Sequence, residues 1–294
     1  MQAGGDELAA ERREKIADIL HRASCILYSA GCDSPELDAE LLLAHALGWE
    51  RARLLADSDC PVGASRRARF SALLARRRSR EPLAYILGHR EFYGRDFLVD
   101  HRVLVPRPET ERLVECVLAW AESCPGHLLL ADVGTGCGCV ASVLAIHLPQ
   151  ATIHALDSSA AALEVASANL TRHRIAGRVH VAQGDLLDPL LEPVDGIVAN
   201  LPYVSTSELA TLQPEIRERE PRAALDGGAD GLDVIRQLLS QAARHLKPGG
   251  AIFLEIGAEQ GKAASKLARH HFPRANVSVL ADYARLDRVL QVLT

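Results

Sequence analysis

From Glu109 to the C-terminus, short apolar runs alternate with stretches of helical spacing. The runs are Leu128 to Val133, Thr152 to Leu156, Arg178 to Ala182, Gly196 to Ala199 and Ala251 to Ile256. Each is too short to be a helix, and each is followed by enough chain to form one. That pattern predicts an α/β domain over residues 109–294, with a mainly parallel sheet covered by helices on both faces. The whole chain has 294 residues, 48% of them hydrophobic, which is enough for this core and for a second, smaller one.

The smaller domain is expected over residues 1–81 and should be helical from about Asp6 to Arg80. Asp38 to Leu47 is apolar with helical spacing, and Gly48 offers a C-terminal stop. Ser34-Pro35-Glu36 reads as the start of that helix, the serine oxygen accepting from a first-turn amide and the proline needing no partner. Leu37, Leu41 and Ala44 are expected on its inward face. The run Arg76-Arg77-Arg78-Ser79-Arg80 is either a solvated helix end or a docking patch for an acidic or RNA-containing partner. Over residues 82–108, Gly88 and Gly94 bracket Phe92-Tyr93 ahead of Phe97-Leu98-Val99, predicting a β-hairpin linker.

Several classes are disfavoured. No apolar run approaches the roughly 20 residues of a membrane-spanning helix. The start, Met1-Gln-Ala-Gly-Gly-Asp-Glu7, has neither the basic opening nor the apolar centre of a secretory signal, so a cytoplasmic protein is expected. Seven scattered cysteines without a Cys-x-x-Cys pair, and twelve histidines without ligand spacing, predict no disulfide framework and no metal. A formal charge of -5 gives no general attraction to phosphate backbones, so no direct nucleic acid substrate is expected.

The first strand runs into Asp132-Val-Gly134-Thr135-Gly136-Cys137-Gly138, followed by a helical pattern from Val140. Glycines let a backbone approach a ligand, and a helix N-terminus presents unpaired amides, which together suit a nucleotide-like cofactor. A dinucleotide fingerprint would require glycine at position 139, where this chain has Cys139. The G-x-G-x-G spacing instead resembles the first motif of Rossmann-like methyltransferases. Asp157, after the second strand, offers a carboxylate for both ribose hydroxyls, and Gly184-Asp185-Leu186, after the third, lies where an adenine edge would sit. Alternatively, Asp157 and Asp185 cap the helices that follow them. Cys137 and Cys139 read as small loop and helix-start residues in preference to a reactive pair.

After the fourth strand comes Asn200-Leu201-Pro202-Tyr203. It resembles the Asn-Pro-Pro-Tyr motif of methyltransferases acting on planar nitrogens, either glutamine amides or the exocyclic amine of adenine. The lone pair of such a nitrogen is delocalised. Acceptors on both of its hydrogens, here the Asn200 side-chain oxygen and the Leu201 carbonyl, would hold it toward the methyl donor and favour pyramidalisation. Leu201 keeps the carbonyl of the motif's first proline, and Pro202 still biases Leu201 toward an extended backbone. Tyr203 would close the pocket and lend a π face near the sulfonium. A plain strand-to-helix turn is the alternative.

With Pro82-Leu-Ala-Tyr-Ile-Leu-Gly88, Glu91-Phe-Tyr-Gly94, Val105-Pro-Arg-Pro-Glu-Thr-Glu111, Glu220-Pro-Arg-Ala-Ala-Leu-Asp-Gly-Gly228 and Leu254-Glu-Ile-Gly257, the chain resembles the HemK/PrmC family of release factor glutamine methyltransferases over nearly its whole length. The resemblance implies a Rossmann-like S-adenosylmethionine-dependent methyltransferase domain with a small N-terminal helical domain that grips the substrate. It implies cofactor contacts from Gly134, Thr135, Gly136, Cys137, Gly138, Asp157, Asp185, Leu186 and Asn200, and acceptor handling by Asn200, Leu201, Pro202 and Tyr203. The implied substrate is the glutamine of the Gly-Gly-Gln loop in class 1 peptide chain release factors, and the implied by-product S-adenosylhomocysteine. Arg107 and Glu109 either line the site or brace it. The alternatives are a glutamine methyltransferase of a large-subunit ribosomal protein, an RNA or DNA adenine methyltransferase, and a cofactor-binding protein without catalysis.

Overall fold

The computed structural model describes residues 14–294, which divide into two compact units, one ending at Leu87 and one running from Gly88 to Thr294. The expectations about residues 1–13, including the helical reading from Asp6 and the lack of a signal, lie outside the described residues. Among the described residues no helix is long and apolar enough to cross a membrane.

The first unit comprises β1 (Glu14–Lys15), α1 (Ile16–Ser29), α2 (Pro35–Leu47), α3 (Arg51–Ala56), β2 (Pro61–Val62), α4 (Ala64–Arg78) and α5 (Leu83–Leu87). β1 and β2 pair antiparallel. Helix α2 starts at Pro35 and stops at Gly48 in the left-handed conformation, but the Ser34 side chain makes no capping bond. Of the residues expected on its inward face, Ala44 is buried, Leu41 is half-buried and Leu37 is 41% exposed; Ala39, Leu42, Leu43 and Ala46 are buried as well, because α2 packs on both α1 and α4 and its neighbours select the stripe. Within the arginine run, Arg78 is exposed and the other three arginines are engaged inside the unit. Arg77 makes a buried ion pair with Asp38 at 2.7 Å, Arg76 pairs with Glu81, and Arg80 donates to the carbonyls of Ala30 and Gly31. These arginines hold the turn after α4 against α1 and α2. Residues 83–87, expected within the linker, are helical.

The second unit opens with a hairpin of β3 (His89–Phe92) and β4 (Arg95–Leu98). Tyr93 and Gly94 both have positive φ, the conformation that joins two twisted strands through a two-residue turn. The Glu111 carboxylate accepts from the Tyr93 amide at 2.9 Å and supports this unusual backbone. Then follow α6 (Thr110–Ala121), β5 (Leu129–Val133), α7 (Cys139–His147), β6 (Thr152–Asp157), α8 (Ala160–Arg172), β7 (Val179–Gln183), β8 (Val194–Ala199), α9 (Pro214–Arg219), α10 (Asp233–His245), β9 (Leu246–Glu255), α11 (Gly261–His271), β10 (Asn276–Ala281) and β11 (Asp287–Leu293).

Seven strands form one sheet in the order β10-β11-β9-β8-β5-β6-β7. The five expected strands pair parallel, and β11 runs antiparallel between β9 and β10. Side chains alternate across the sheet with period two. Ala131, Val133, Ile197, Ala199, Ile252 and Leu254 join Ile235, Leu238, Leu239 and Ala264 of α10 and α11 in one buried cluster. Phe253, on the opposite parity, meets Trp120 of α6, and α6, α7 and α8 lie side by side. Helices therefore cover both faces, a Rossmann-like arrangement. No helix intervenes between β7 and β8, where residues 184–193 form a looped connection.

Candidate active site

Strand β5 has β6 on one side and β8 on the other, so successive connections leave it in opposite directions. The loops after β5 and β8 diverge at this reversal and open a crevice at the carboxyl ends of the strands. A cleft of about 370 Å³ lies there. Gly134, Thr135, Gly136, Cys137, Asp157, Asp185, Leu186, Asn200, Leu201 and Pro202 line it; Gly138 and Tyr203 do not.

The glycine loop works differently from a simple array of open amides. The Gly134 and Thr135 amides donate to the Leu156 carbonyl at 2.8 and 2.9 Å, Gly136 donates to Asp157 Oδ2 at 2.9 Å, and Gly138 to the Thr135 carbonyl at 2.8 Å. Of the first turn of α7, the Ala141 amide is taken by Asp132 Oδ2 at 3.1 Å. Glycine is required here for close approach and left-handed backbone. A Cβ on Gly134 would lie 3.1 Å from the Leu201 side chain, and one on Gly138 3.1 Å from Ala166 of α8. Gly138 thus seats α7 on α8 beside the cleft. Asp132 is buried and also accepts from the Thr135 hydroxyl at 2.6 Å; burial outweighs these bonds and pushes its carboxyl up to about 6.

Asp157 does not cap α8, because Ser159 does so through a bond from the Ala162 amide. Its two oxygens accept instead from the Gly136 and Ser159 amides at 2.9 Å each, which ties the ends of β5 and β6 together. A carboxylate has about four acceptor positions, so two remain for a ligand in the cleft. Asp185 caps no helix either, since none follows β7, and it accepts from Gln237 of α10 at 2.7 Å. The neighbouring Leu186 has φ +50°, a rare and strained conformation for leucine that stands at the cleft wall. Cys137 and Cys139 are buried. The hydrogen bond from Cys137 together with burial holds the Cys139 thiol well above its usual range, the opposite of an activated pair.

At the end of β8, the Asn200 Nδ2 donates to the Thr110 hydroxyl at 3.0 Å. Thr110 begins α6 and is buried. The Tyr203 hydroxyl donates to Glu255 Oε1 at 3.2 Å, and its ring borders a smaller cavity of about 50 Å³ shared with Leu104, Arg107 and Asn200. Burial and the Glu255 charge keep this phenol well above its ordinary pKa. Arg107 both lines the cleft and braces it, donating to Glu220 Oε1 at 2.6 Å, while Glu220 Oε2 accepts the Val105 amide. Burial pushes the Glu220 carboxyl up and Arg107 opposes that. Glu109 is exposed, does not line the cleft, and places its charge near Glu255.

Three residues around the site carry roles that the sequence reading did not assign, although Thr110 and Glu255 stand within stretches that carry the resemblance. Asn169 of α8 is fully buried and donates to the Leu98 and Cys137 carbonyls at 3.0 and 2.9 Å, clamping hairpin and glycine loop together. Thr110 holds the Asn200 amide, and Glu255 accepts from the Tyr203 hydroxyl. A signal for Glu255 exists, because an acid inside the apolar run Ala251 to Ile256 has to be buried and partnered.

Residues 18–88 match the model of the PrmC N-terminal domain, and residues 118–218 that of the methyltransferase small domain. A release factor glutamine methyltransferase from Moorella thermoacetica is 45% identical, covering 94% of this chain and 96% of its own. One of the same name from Cereibacter sphaeroides is 42% identical, covering 94% and 97%. Among solved structures, a methyltransferase from Pyrococcus furiosus shares the fold, with a TM-score of 0.52 at 17% identity over 76% of this chain and 98% of that one. At these identities and near-complete coverage, the chain belongs to the release factor glutamine methyltransferase family.

Proposed function

We propose that this protein transfers a methyl group from S-adenosylmethionine to the side-chain amide nitrogen of a release factor glutamine, the one in the Gly-Gly-Gln loop of class 1 factors. The observation that carries the reading is the orientation of Asn200. Its amino group is engaged by Thr110, so its Oδ1 is the atom left for an acceptor in the cleft.

The cleft fits the cofactor. It falls within the roughly 300–1,000 Å³ of small-molecule sites, and it combines the Asp157 carboxylate with apolar walls from Leu156, Leu186 and Val234. Asp157 would hold the ribose, Leu186 and Asp185 would flank the adenine, and the glycine loop would pass beneath the methionine portion. When bound, the cofactor supplies an electrophilic methyl on a sulfonium.

The protein contributes alignment. Asn200 Oδ1 and the Leu201 carbonyl accept the two hydrogens of the glutamine amide, which turns the nitrogen lone pair toward the methyl and weakens its conjugation with the carbonyl. These bonds strengthen as positive charge develops on the nitrogen, so they stabilise the transition state more than the ground state. No strong base is needed before transfer. Pro202 stiffens the strand end, and the Leu201 side chain, packed over Gly134, fixes the height of its own carbonyl beside the cofactor loop. Seven free cysteines accord with action in the cytoplasm.

The test is transfer of labelled methyl to a panel of purified acceptors: a class 1 release factor, large-subunit ribosomal proteins and ribosomal RNA. Label on the release factor alone is expected. Label on a ribosomal protein or on RNA overturns the substrate and leaves the cofactor reading standing.

A further inference from the structure

The loop that follows β7 is fastened to α10 by two glutamines one helical turn apart. Gln237 Nε2 donates to Asp185 Oδ2 at 2.7 Å, and Oε1 of the buried Gln241 accepts from the Leu187 amide at 2.9 Å. Positions i and i+4 share one face of a helix, so both side chains reach the same loop. Between the two anchored residues stands Leu186, whose φ of +50° is one that leucine keeps only where its surroundings impose it. The Asp188 amide closes the turn by donating to the Asp185 carbonyl at 3.0 Å. Neither glutamine can turn its amide over without losing its bond, because a carboxylate only accepts and a backbone amide only donates. The turn is therefore fixed from outside, by α10.

Asp185, Leu186, Val234 and Gln237 line the cleft, and Gln241 does not. The bond from Gln237 occupies Oδ2 and leaves Oδ1 for a donor in the cleft. An acceptor in that place discriminates between purines. The six-position amino group of adenine donates to it, whereas the six-position carbonyl of hypoxanthine can only accept and is repelled. We propose that Gln237 is a positioning residue which, by holding the Asp185 carboxylate, makes the adenine end of the cofactor site select a six-amino purine and reject a six-oxo one. Asp185 and Gln237 are both exposed, so without their mutual bond the carboxylate is free to change rotamer toward solvent, and the selection weakens.

This inference rests on the S-adenosylmethionine reading of the cleft, and the test separates the two. Calorimetry on the full chain compares S-adenosylhomocysteine with its deaminated analogue S-inosylhomocysteine. The proteins are the wild type, Gln237→Leu, Asp185→Ala and the double variant Asp185→Ala/Gln237→Leu. The wild type is expected to favour the adenosyl ligand by about tenfold or more, the scale of one hydrogen bond to a charged group. In Gln237→Leu that ratio should shrink about threefold or more, in Asp185→Ala at least as far, and in the double variant it should equal that of Asp185→Ala. Gln237 is exposed on α10, so leucine there leaves the core of the second unit undisturbed. A purely structural part for Gln237 would weaken both ligands equally and leave the ratio unchanged, which overturns the proposal. So does a further fall in the ratio on adding Gln237→Leu to Asp185→Ala, which would put Gln237 itself against the purine. Wild-type protein that binds both ligands equally removes the inference and keeps the cofactor reading. Binding of neither removes the cofactor reading, and the inference with it.

Discussion

Asn200 Nδ2 lies 3.0 Å from Thr110 Oγ1, across 90 residues of sequence and between the end of a central strand and the first residue of a helix. An asparagine amide unconstrained at a strand end can present either its oxygen or its nitrogen. The bond to Thr110 removes that freedom and exposes the acceptor, which is the property methylation of a planar nitrogen demands.

Replacing Asn200 by alanine is expected to lower turnover by at least about tenfold while cofactor affinity stays nearly unchanged, because the lost acceptor serves the reacting amide. Steady-state kinetics paired with calorimetry check this. A parallel loss of cofactor affinity would mean that Asn200 holds the cofactor as much as the substrate.

Asp157→Ala is expected to act in reverse. Its carboxylate ties the Gly136 and Ser159 amides and faces the cleft, so its removal should weaken cofactor binding about ten- to a hundredfold, on the scale of a lost hydrogen bond to a charged group. Equal affinities measured for the variant and the parent would remove Asp157 from the ribose.

Gly138→Ala should destabilise the fold by about 1–3 kcal/mol, since φ is +77° and the added methyl meets Ala166. Urea denaturation gives the value. Because Gly138 does not line the cleft, the residual folded protein should keep its cofactor affinity.

The pH dependence of stability follows from Asp132. Its carboxyl is raised from 3.8 to about 6 in the folded protein, so the stability it contributes is fully present below the unfolded value and is lost as pH rises through about 6. Relative to Asp132→Asn, the wild type should lose roughly 1–2 kcal/mol between about pH 5 and about pH 7. Denaturation of both proteins across that range measures it, and parallel curves would show that Asp132 does not titrate there.

Much of this molecule is legible in its sequence for local reasons. A buried parallel strand must be a continuous apolar run, and all five such runs are strands of the sheet. Gly134 and Gly138 stand where loops or helices approach within the reach of a methyl group. What is hidden depends on partners far along the chain. Strands β10 and β11 form an edge hairpin whose β10 side chains are mostly half-buried, so their pattern lacks the contrast of the central strands. The face of α2 that turns inward is chosen by α1 and α4, and Arg76, Arg77 and Arg80 at the end of α4 are engaged by Glu81, Asp38 and two carbonyls. Thr110 looks like an ordinary helix-start residue until Asn200 is brought to it.

The central claim is tested most directly by locating the methyl group. A class 1 release factor is incubated with the enzyme and S-adenosylmethionine, digested and analysed by tandem mass spectrometry, beside the same factor with its Gly-Gly-Gln glutamine changed to alanine. The account predicts a single methyl on the amide nitrogen of that glutamine and none on the altered factor. Methylation elsewhere on the factor, or equal methylation of both proteins, would contradict it.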